Sequence, residues 1–371
     1  MIEVDCAFPG GNVLVDGVEG DTVRLRPDLR DTEGEWFYWH FRVRGAGGRR
    51  MRFAFHDAVV GVRGPAVSLD AGRTWAWLGD DAEGGRAFIY AFAAQAEVRF
   101  SVGMPYTQAN LDAFLAAHAD HPHLRADTLC RTRKGRPVAC LSLGQLEEQP
   151  EHRVLVACRH HACEMMASYV LEGLMEAVLA EDETGRGLRE SVEFLVAPFV
   201  DTDGVEDGDQ GKNRRPHDHN RDYGVLCVYP EVWALRERVR GWSGDRLRIA
   251  LDLHCPTLRG ERDQEVYFVG GPNQEAWRRT EQFAAALEQA RQGPIPFRSG
   301  GGMPFGAEWN TEAGDRHFGR WAEGQPGVWF GGTLEIPYAS AGGVAVTAAT
   351  ARALGRDLAE ALRADLAAGP G

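Results

Sequence analysis

Val154-Leu155-Val156-Ala157-Cys158-Arg159-His160-His161-Ala162-Cys163-Glu164 passes from an apolar run into a polar turn. In the segment after it, Met165–Leu179, apolar residues (Met165, Tyr169, Leu171, Leu174, Met175, Val178) recur at helical spacing. The pattern predicts a buried strand, a turn and an amphipathic helix, with His161 and Glu164 three residues apart at the turn and facing the same way. Imidazole nitrogen and carboxylate oxygen are both zinc ligands, but a zinc site needs at least one more. Taken alone, the pair also fits an ion pair at a helix start, where the helix dipole favours a glutamate. Two further strand-like stretches supply partners. Residues 246–253 lead through Asp252-Leu253 to His254, and Gly332-Thr333-Leu334-Glu335-Ile336 places a lone carboxyl in an apolar strand. An unpaired buried carboxylate is costly, so Glu335 calls for a function.

Working outward, 371 residues exceed what one compact core usually holds, so two domains are expected. A hydrophobic fraction of 44% fits a soluble globular chain, and no apolar run approaches the roughly 20 residues of a membrane helix. Met1-Ile2-Glu3-Val4-Asp5 has neither the basic start nor the apolar stretch of a signal peptide, so a cytoplasmic location is expected. A net charge of -13 disfavours nucleic acid and acidic membrane surfaces as partners. The seven cysteines are scattered and odd in number, which argues for reduced thiols rather than a disulfide framework. Cys163 and Cys255, next to the candidate ligands, read as small buried hydrophobes, with a thiolate ligand or nucleophile as the alternative.

Residues 1–106 read as an antiparallel β-sandwich. Alternation over 35–43 and 50–55 across Gly45-Ala46-Gly47-Gly48 predicts a hairpin, and further strands are expected at 66–69, 74–78, 87–93 and 97–102. From Thr107 a helix leads into residues 107–371. There a hairpin (128–132, 137–143) is followed by strands at 192–200, 246–253, 265–269 and 328–336 and helices at 231–242, 274–292 and 346–368. Such alternation predicts an α/β domain with a mostly parallel mixed sheet, whose sites lie beyond the carboxyl ends of its strands.

With these residues in place, the chain resembles the zinc metallocarboxypeptidases, and among them the cytosolic carboxypeptidase subfamily, over nearly its whole length. The resemblance rests on the H-x-x-E turn at His161 and Glu164, the distant His254, Glu335 in Thr-Leu-Glu-Ile, Asp203-Gly204-Val205 and Asn220-Arg221. Nearer the N-terminus it rests on Ser68-Leu69-Asp70-Ala71-Gly72-Arg73-Thr74-Trp75 and Gly103-Met104-Pro105-Tyr106-Thr107. It implies one zinc per chain held by His161, Glu164 and His254, an open position for water, and Glu335 as the residue that takes the water's proton and delivers it to the leaving amine. Asn220 and Arg221 would grip the substrate's terminal carboxylate, and Arg214 or Arg215 would assist there and stabilise the oxyanion. Asp218 would accept the free ring proton of His161 and so fix its tautomer.

His160, His217 and His219 are rival ligands that do not complete the motif. Many members of the family carry a tyrosine that covers the substrate, whereas residues 298–328 contain none, leaving Trp309, Phe318 or Trp321 as covers. The expected substrate is the C-terminus of a peptide or protein, including a side-chain-linked glutamyl group. Arg316 and Arg320 would favour an acidic terminal residue. A zinc-dependent N-acyl-amino-acid deacylase (of the aspartoacylase or succinylglutamate desuccinylase kind), a peptide-binding pseudoenzyme, and a sandwich serving as an adaptor are the alternatives. The oligomeric state is not written in the sequence.

Overall fold

Near the N-terminus a pair of sheets face each other across an aromatic core. The computed structural model describes residues 2–79, 83–94, 97–311 and 316–369. One sheet is antiparallel, with β1 (Glu3–Asp5), β4 (His40–Arg44), β9 (Glu97–Ser101), β6 (Ala66–Ser68) and β7 (Ala76–Trp77) in that order. The other holds β2 (Leu14–Glu19), β3 (Thr22–Arg26), β5 (Arg50–Phe55) and β8 (Ala87–Ala91), with β3 and β5 parallel. Phe41 and Phe100 from the first meet Phe53 and Phe88 from the second: ring centroids lie 5.5 Å apart for Phe41–Phe53 and 5.2 Å for Phe88–Phe100.

The expected hairpin at 35–55 is not formed. β4 pairs with β1 and β9, while β5 pairs with β3 and β8, so the two strands belong to opposite sheets. Gly45 and Gly48, at φ of 70° and 76°, take the left-handed conformations that let the chain cross between the sheets. Alternation reports which face of a strand is buried; it does not report which strand lies alongside.

α1 (Gln108–Ala117), capped by Thr107, leads to a seven-stranded sheet. Its order is β10 (Leu124–Arg131), β11 (Pro137–Gly144), β13 (Val192–Ala197), β12 (His152–Cys158), β14 (Leu247–His254), β16 (Phe330–Glu335), β15 (Tyr267–Val269). The four central strands β13, β12, β14 and β16 are parallel, and the flanking strands antiparallel. β12 is buried on both faces. Val154, Val156 and Cys158 face one apolar cluster, shared with α2 (Met165–Leu179) and α8 (Ala348–Ala368). Leu155 and Ala157 face the other, shared with α5 (Pro230–Ser243) and α7 (Phe318–Glu323). That double burial explains the unbroken apolar run, as in other central parallel strands. α3 (Glu183–Ser191), α4 (Thr202–Asp207) and α6 (Gln274–Ala290) complete the layers.

α2 and α8 cross closely at two glycines. A Cβ on Gly173 would lie 2.1 Å from the carbonyl oxygen of Arg352, and one on Gly355 would lie 2.1 Å from that of Val170. The parallel register then sets the site. Leu253 lies opposite Cys158, and His254 opposite Glu335, so the carboxyl ends of β12, β14 and β16 converge at one edge of the sheet.

Candidate metal centre and active site

After β12 the chain turns sharply through Arg159, a non-glycine residue at φ 58°. The buried Arg159 guanidinium stabilises this turn: it donates to the carbonyl oxygens of Tyr106 (2.9 Å) and Ala162 and to Ser168 Oγ (3.1 Å). The turn delivers His161 and Glu164 to the strand ends. His161 Nδ1 lies 3.0 Å from Glu164 Oε1 and 3.1 Å from His254 Nδ1, and His254 Nδ1 lies 2.7 Å from Glu164 Oε2.

Whether these groups suit a cation is decided by where their protons go. Asp252 Oδ2 accepts from His254 Nε2 at 2.5 Å, which turns Nδ1 of the same ring towards Glu164. His161 Nε2 faces Asp218 Oδ1 at 3.6 Å, an ion-pair separation longer than a hydrogen bond, and its Nδ1 also points inward. Two imidazole nitrogens and a carboxylate therefore meet, and among the described residues Glu164 Oε2 has no aligned donor although fully buried. Burial works against a charge on His254, yet the carboxylates of Asp252 and Glu164 outweigh it and hold its pKa well above the ordinary histidine value. A positive charge is called for at this point, and two nitrogens with one oxygen suit zinc.

A second grouping, His160 with Asp252 and His254, is also close enough to hold an ion. Its polar atoms are already matched to one another. His160 Nδ1 lies 2.7 Å from Asp252 Oδ1, and its Nε2 lies 2.7 Å from the Tyr223 hydroxyl. This is a buried hydrogen-bonded chain from Tyr223 to His254, and it stands behind the cavity that His161, His254 and Glu335 line. The sequence reading passed over Asp252 as a partner, although an aspartate two residues before a histidine in an apolar strand was the available signal.

Glu335 ends β16 beside His254. Burial, and after it the neighbouring Glu164 carboxylate, push its pKa up against the opposing pull of His254 and Lys212, and its Oε2 has no hydrogen-bond partner among the described residues. It borders a cavity of about 950 Å³ that also takes in Trp36, Arg221, Tyr267, Trp309 and Arg316.

The two arginines expected to assist at the centre are paired with carboxylates of the protein, and Arg214 borders the cavity. Arg214 is enclosed by carboxylates, with Asp201 at 2.7 Å, Asp209 at 3.1 Å and Asp31 at 3.2 Å, so its charge is answered before any substrate arrives. Arg215 is exposed and pairs with Glu33. The cation at the cluster is Lys212, whose Nζ lies 2.6 Å from Glu164 Oε1. Asn220 is buried: its Oδ1 accepts from the Phe318 amide (3.0 Å) and its Nδ2 lies 3.3 Å from His254 Nε2. Arg221 follows on a short turn, close enough to lower the pKa of Asp218 together with His161.

The remaining candidates fall into structural roles. His217 binds Asp222 at 2.6 Å, and His219 stacks on Tyr229 with centroids 3.8 Å apart. Burial raises the Cys163 thiol to about 11 and lifts Cys255 well above the usual thiol value, so both are neutral thiols, and all seven cysteines are free. Phe318 is buried against His160 and Trp321 packs on Tyr223, whereas Trp309 borders the cavity.

Residues 111–239 match the family model described as zinc carboxypeptidase. Over those residues the chain is similar to the zinc carboxypeptidases. The match includes His161, Glu164, Asp218, Asn220 and Arg221, while His254 and Glu335 lie beyond it. Over 208 residues the chain is 24% identical to cytosolic carboxypeptidase 2 of Macaca fascicularis, covering 53% of this chain and 24% of that protein. Over 282 residues it is 22% identical to cytosolic carboxypeptidase 6 of Caenorhabditis elegans, covering 68% and 61%. The chain thus spans about a quarter of the length of the first of these relatives. A metallo-carboxypeptidase from Burkholderia cenocepacia has the same fold throughout, with a TM-score of 0.85, 22% identity and all of both chains covered. A metallo-carboxypeptidase from Pseudomonas aeruginosa gives a TM-score of 0.78 at 19% identity, over 98% of each chain. The residues matched by the family model follow the facing pair of sheets, and the Burkholderia structure shares the fold over its full length.

Proposed function

We propose that this chain is a zinc-dependent carboxypeptidase that removes residues from the C-terminus of peptides or proteins, with one zinc held by His161, Glu164 and His254. The observation that carries the reading is the convergence of two inward imidazole nitrogens and a carboxylate beside Glu335, a buried carboxyl whose Oε2 has no partner among the described residues. Zinc bound there would supply Lewis acidity, polarising a carbonyl oxygen and making water more acidic. Glu335 takes the proton of the attacking water and gives it to the amine nitrogen as the C–N bond breaks. Asp252 fixes His254 in the tautomer that presents Nδ1, and Asp218 faces the outer nitrogen of His161. Arg221, with Asn220, orients the terminal carboxylate of the substrate. A cytoplasmic location accords with the relatives' names. Among the described residues no helix is long and apolar enough to cross a membrane.

Metal analysis tests the ligand set. His254→Ala should lower zinc affinity by more than about 100-fold, and Asp252→Asn by roughly 10–100-fold, the range for loss of a partner that orients a ligand. Full zinc occupancy with unchanged affinity in His254→Ala would overturn the assignment. Incubating the zinc-loaded chain with a peptide library tests the activity: free amino acids should appear. If an acyl acid were released from N-acylated amino acids instead, the chain would be a deacylase.

Within this reading, an acidic terminal residue is the preferred substrate. Arg316 borders the cavity, while Arg320 lies over the Phe305 ring at 5.2 Å and is the weaker candidate. Released residues should favour glutamate over leucine and lysine, and Arg316→Ala should reduce that preference by roughly 10-fold, the worth of one exposed charge-assisted contact. A parent profile led by leucine or lysine would rule this out.

A further inference from the structure

Lys212 is the cation that the loop after α4 presents to the metal cluster. Its side chain is only 15% exposed, its ammonium lies against Glu164, and it borders the cavity alongside Glu335. A lysine side chain is long, flexible and strongly hydrated, so holding one here requires dedicated contacts. Residues 31–38, far earlier in the chain, provide them. Lys212 Nζ sits over the Trp36 ring, 5.3 Å from its centroid, and the Trp36 indole donates to the Glu33 carbonyl oxygen at 2.9 Å. Thr32 Oγ1 donates to the Lys212 carbonyl oxygen at 2.9 Å. The Glu33 amide donates to the Asn213 carbonyl oxygen at 3.0 Å, and Asn213 Nδ2 donates back to that of Glu33 at 2.8 Å. Gln210 and the Tyr38 backbone exchange two hydrogen bonds of 2.7 and 2.9 Å. The loop is thereby laced to the N-terminal segment along its length.

We propose that Lys212 is a catalytic residue whose ammonium meets the negative charge developing on the scissile carbonyl oxygen, and that Trp36 is the residue that positions it. The proposal rests on the carboxypeptidase reading. As water adds to the carbonyl carbon, the C=O π pair moves onto oxygen and Glu335 takes the water's proton. When the tetrahedral anion collapses, the C=O bond re-forms and the C–N bond breaks. Its electron pair leaves on nitrogen, which takes that proton. Charge on the oxygen is greatest between these two events, so a fixed cation there favours the transition state over the ground state. A lysine ammonium has no preferred plane of approach, which suits an oxygen that moves as the carbon becomes tetrahedral. Lys212 as a mere counter-charge to Glu164 is the competing account, and it predicts effects on zinc affinity rather than on transition-state binding.

The test uses the full zinc-loaded chain and a blocked dipeptide ending in the residue that the parent releases fastest. Beside it stands the phosphonate counterpart, in which a tetrahedral anion replaces the scissile carbonyl. Lys212→Met should lower kcat by about 100- to 1000-fold with KM nearly unchanged, the usual loss for one oxyanion donor. It should weaken the phosphonate by a similar factor, leave binding of the product amino acid unchanged, and keep the parent's melting temperature. Lys212→Arg should recover a share of both losses. Trp36→Leu should lower kcat and phosphonate affinity together by roughly 10-fold, and Trp36→Phe should restore them, as expected of a displaced cation. If Lys212→Met keeps kcat within a few fold, or if zinc affinity falls while phosphonate affinity holds in the zinc-saturated protein, the lysine is not catalytic. If the parent releases no terminal residue from any peptide, the carboxypeptidase reading fails and the role of Lys212 fails with it.

Discussion

Glu335→Gln should fold, bind zinc as the parent does, and lose about 1000-fold in kcat, within the range that a positioned base contributes. Glutamine matches glutamate in size and shape, and the substitution removes only the ability to accept and return a proton. The structure also fixes the sign of the accompanying stability change. Glu335 is buried, its pKa is raised by that burial and by Glu164, and its Oε2 has no hydrogen-bond partner among the described residues. An ionised carboxyl in such a place opposes folding, so the amide should melt at the same temperature as the parent or higher. The two readouts together separate the roles. Lost zinc would make Glu335 a ligand, activity within a few fold of the parent would point to another base, and a lower melting temperature would mean that Glu335 holds the fold together.

How much of this was legible in the sequence depends on how local each signal is. His254 and Glu335 stand out in the sequence because each is a polar residue at the end of an apolar strand, where water cannot account for it. His161 and Glu164 stand out because they lie in the turn between an apolar strand and an apolar helix. The parallel register then brings His254 beside Glu335, as strands in such a sheet require. Lys212 could not be picked out from Arg214 and Arg215. All three lie in one charged loop, and their partners are mostly set by the fold: Asp201 and Asp209, with Asp31, hold Arg214, Glu33 holds Arg215, and Thr32 and Trp36, about 180 positions away, hold the lysine. The same distance effect misled the reading of 35–55. The alternation there correctly marks the buried Phe41 and Phe53, but sheet assignment depends on β1, β3, β8 and β9. Asp252 is intermediate, since its strand was recognised and its partners, His160 and His254, stood in plain view. Its role emerges only when both of its oxygens are seen to be used.

Converting the terminal carboxylate of a good substrate to an amide should lower kcat/KM by about 100- to 10,000-fold. The estimate is two charge-assisted hydrogen bonds at roughly 1.5–3 kcal/mol each, with tenfold in rate for every ~1.4 kcal/mol. The structure narrows which donors are involved. Arg214 and Arg215 are matched to carboxylates of the protein, and Asn220 has its oxygen on the Phe318 amide. The grip is expected of Arg221 because of where it stands. Arg221 borders the same cavity as Glu335 and lies close to Asp218. Its planar fork can bind both oxygens of a carboxylate, whereas an amide offers one acceptor and presents an N–H group where the other should be. Loss of that grip also lets the scissile bond wander from Glu335, so the penalty should appear in kcat as well as in KM. Arg221→Ala should therefore slow the acid by a similar factor and the amide hardly at all, which removes most of the difference between them. If the amide is cleaved as fast as the acid by the parent, nothing in this cavity reads a free C-terminus. The enzyme would then cut peptides without regard to their ends, and the placement of Arg221 would need another explanation.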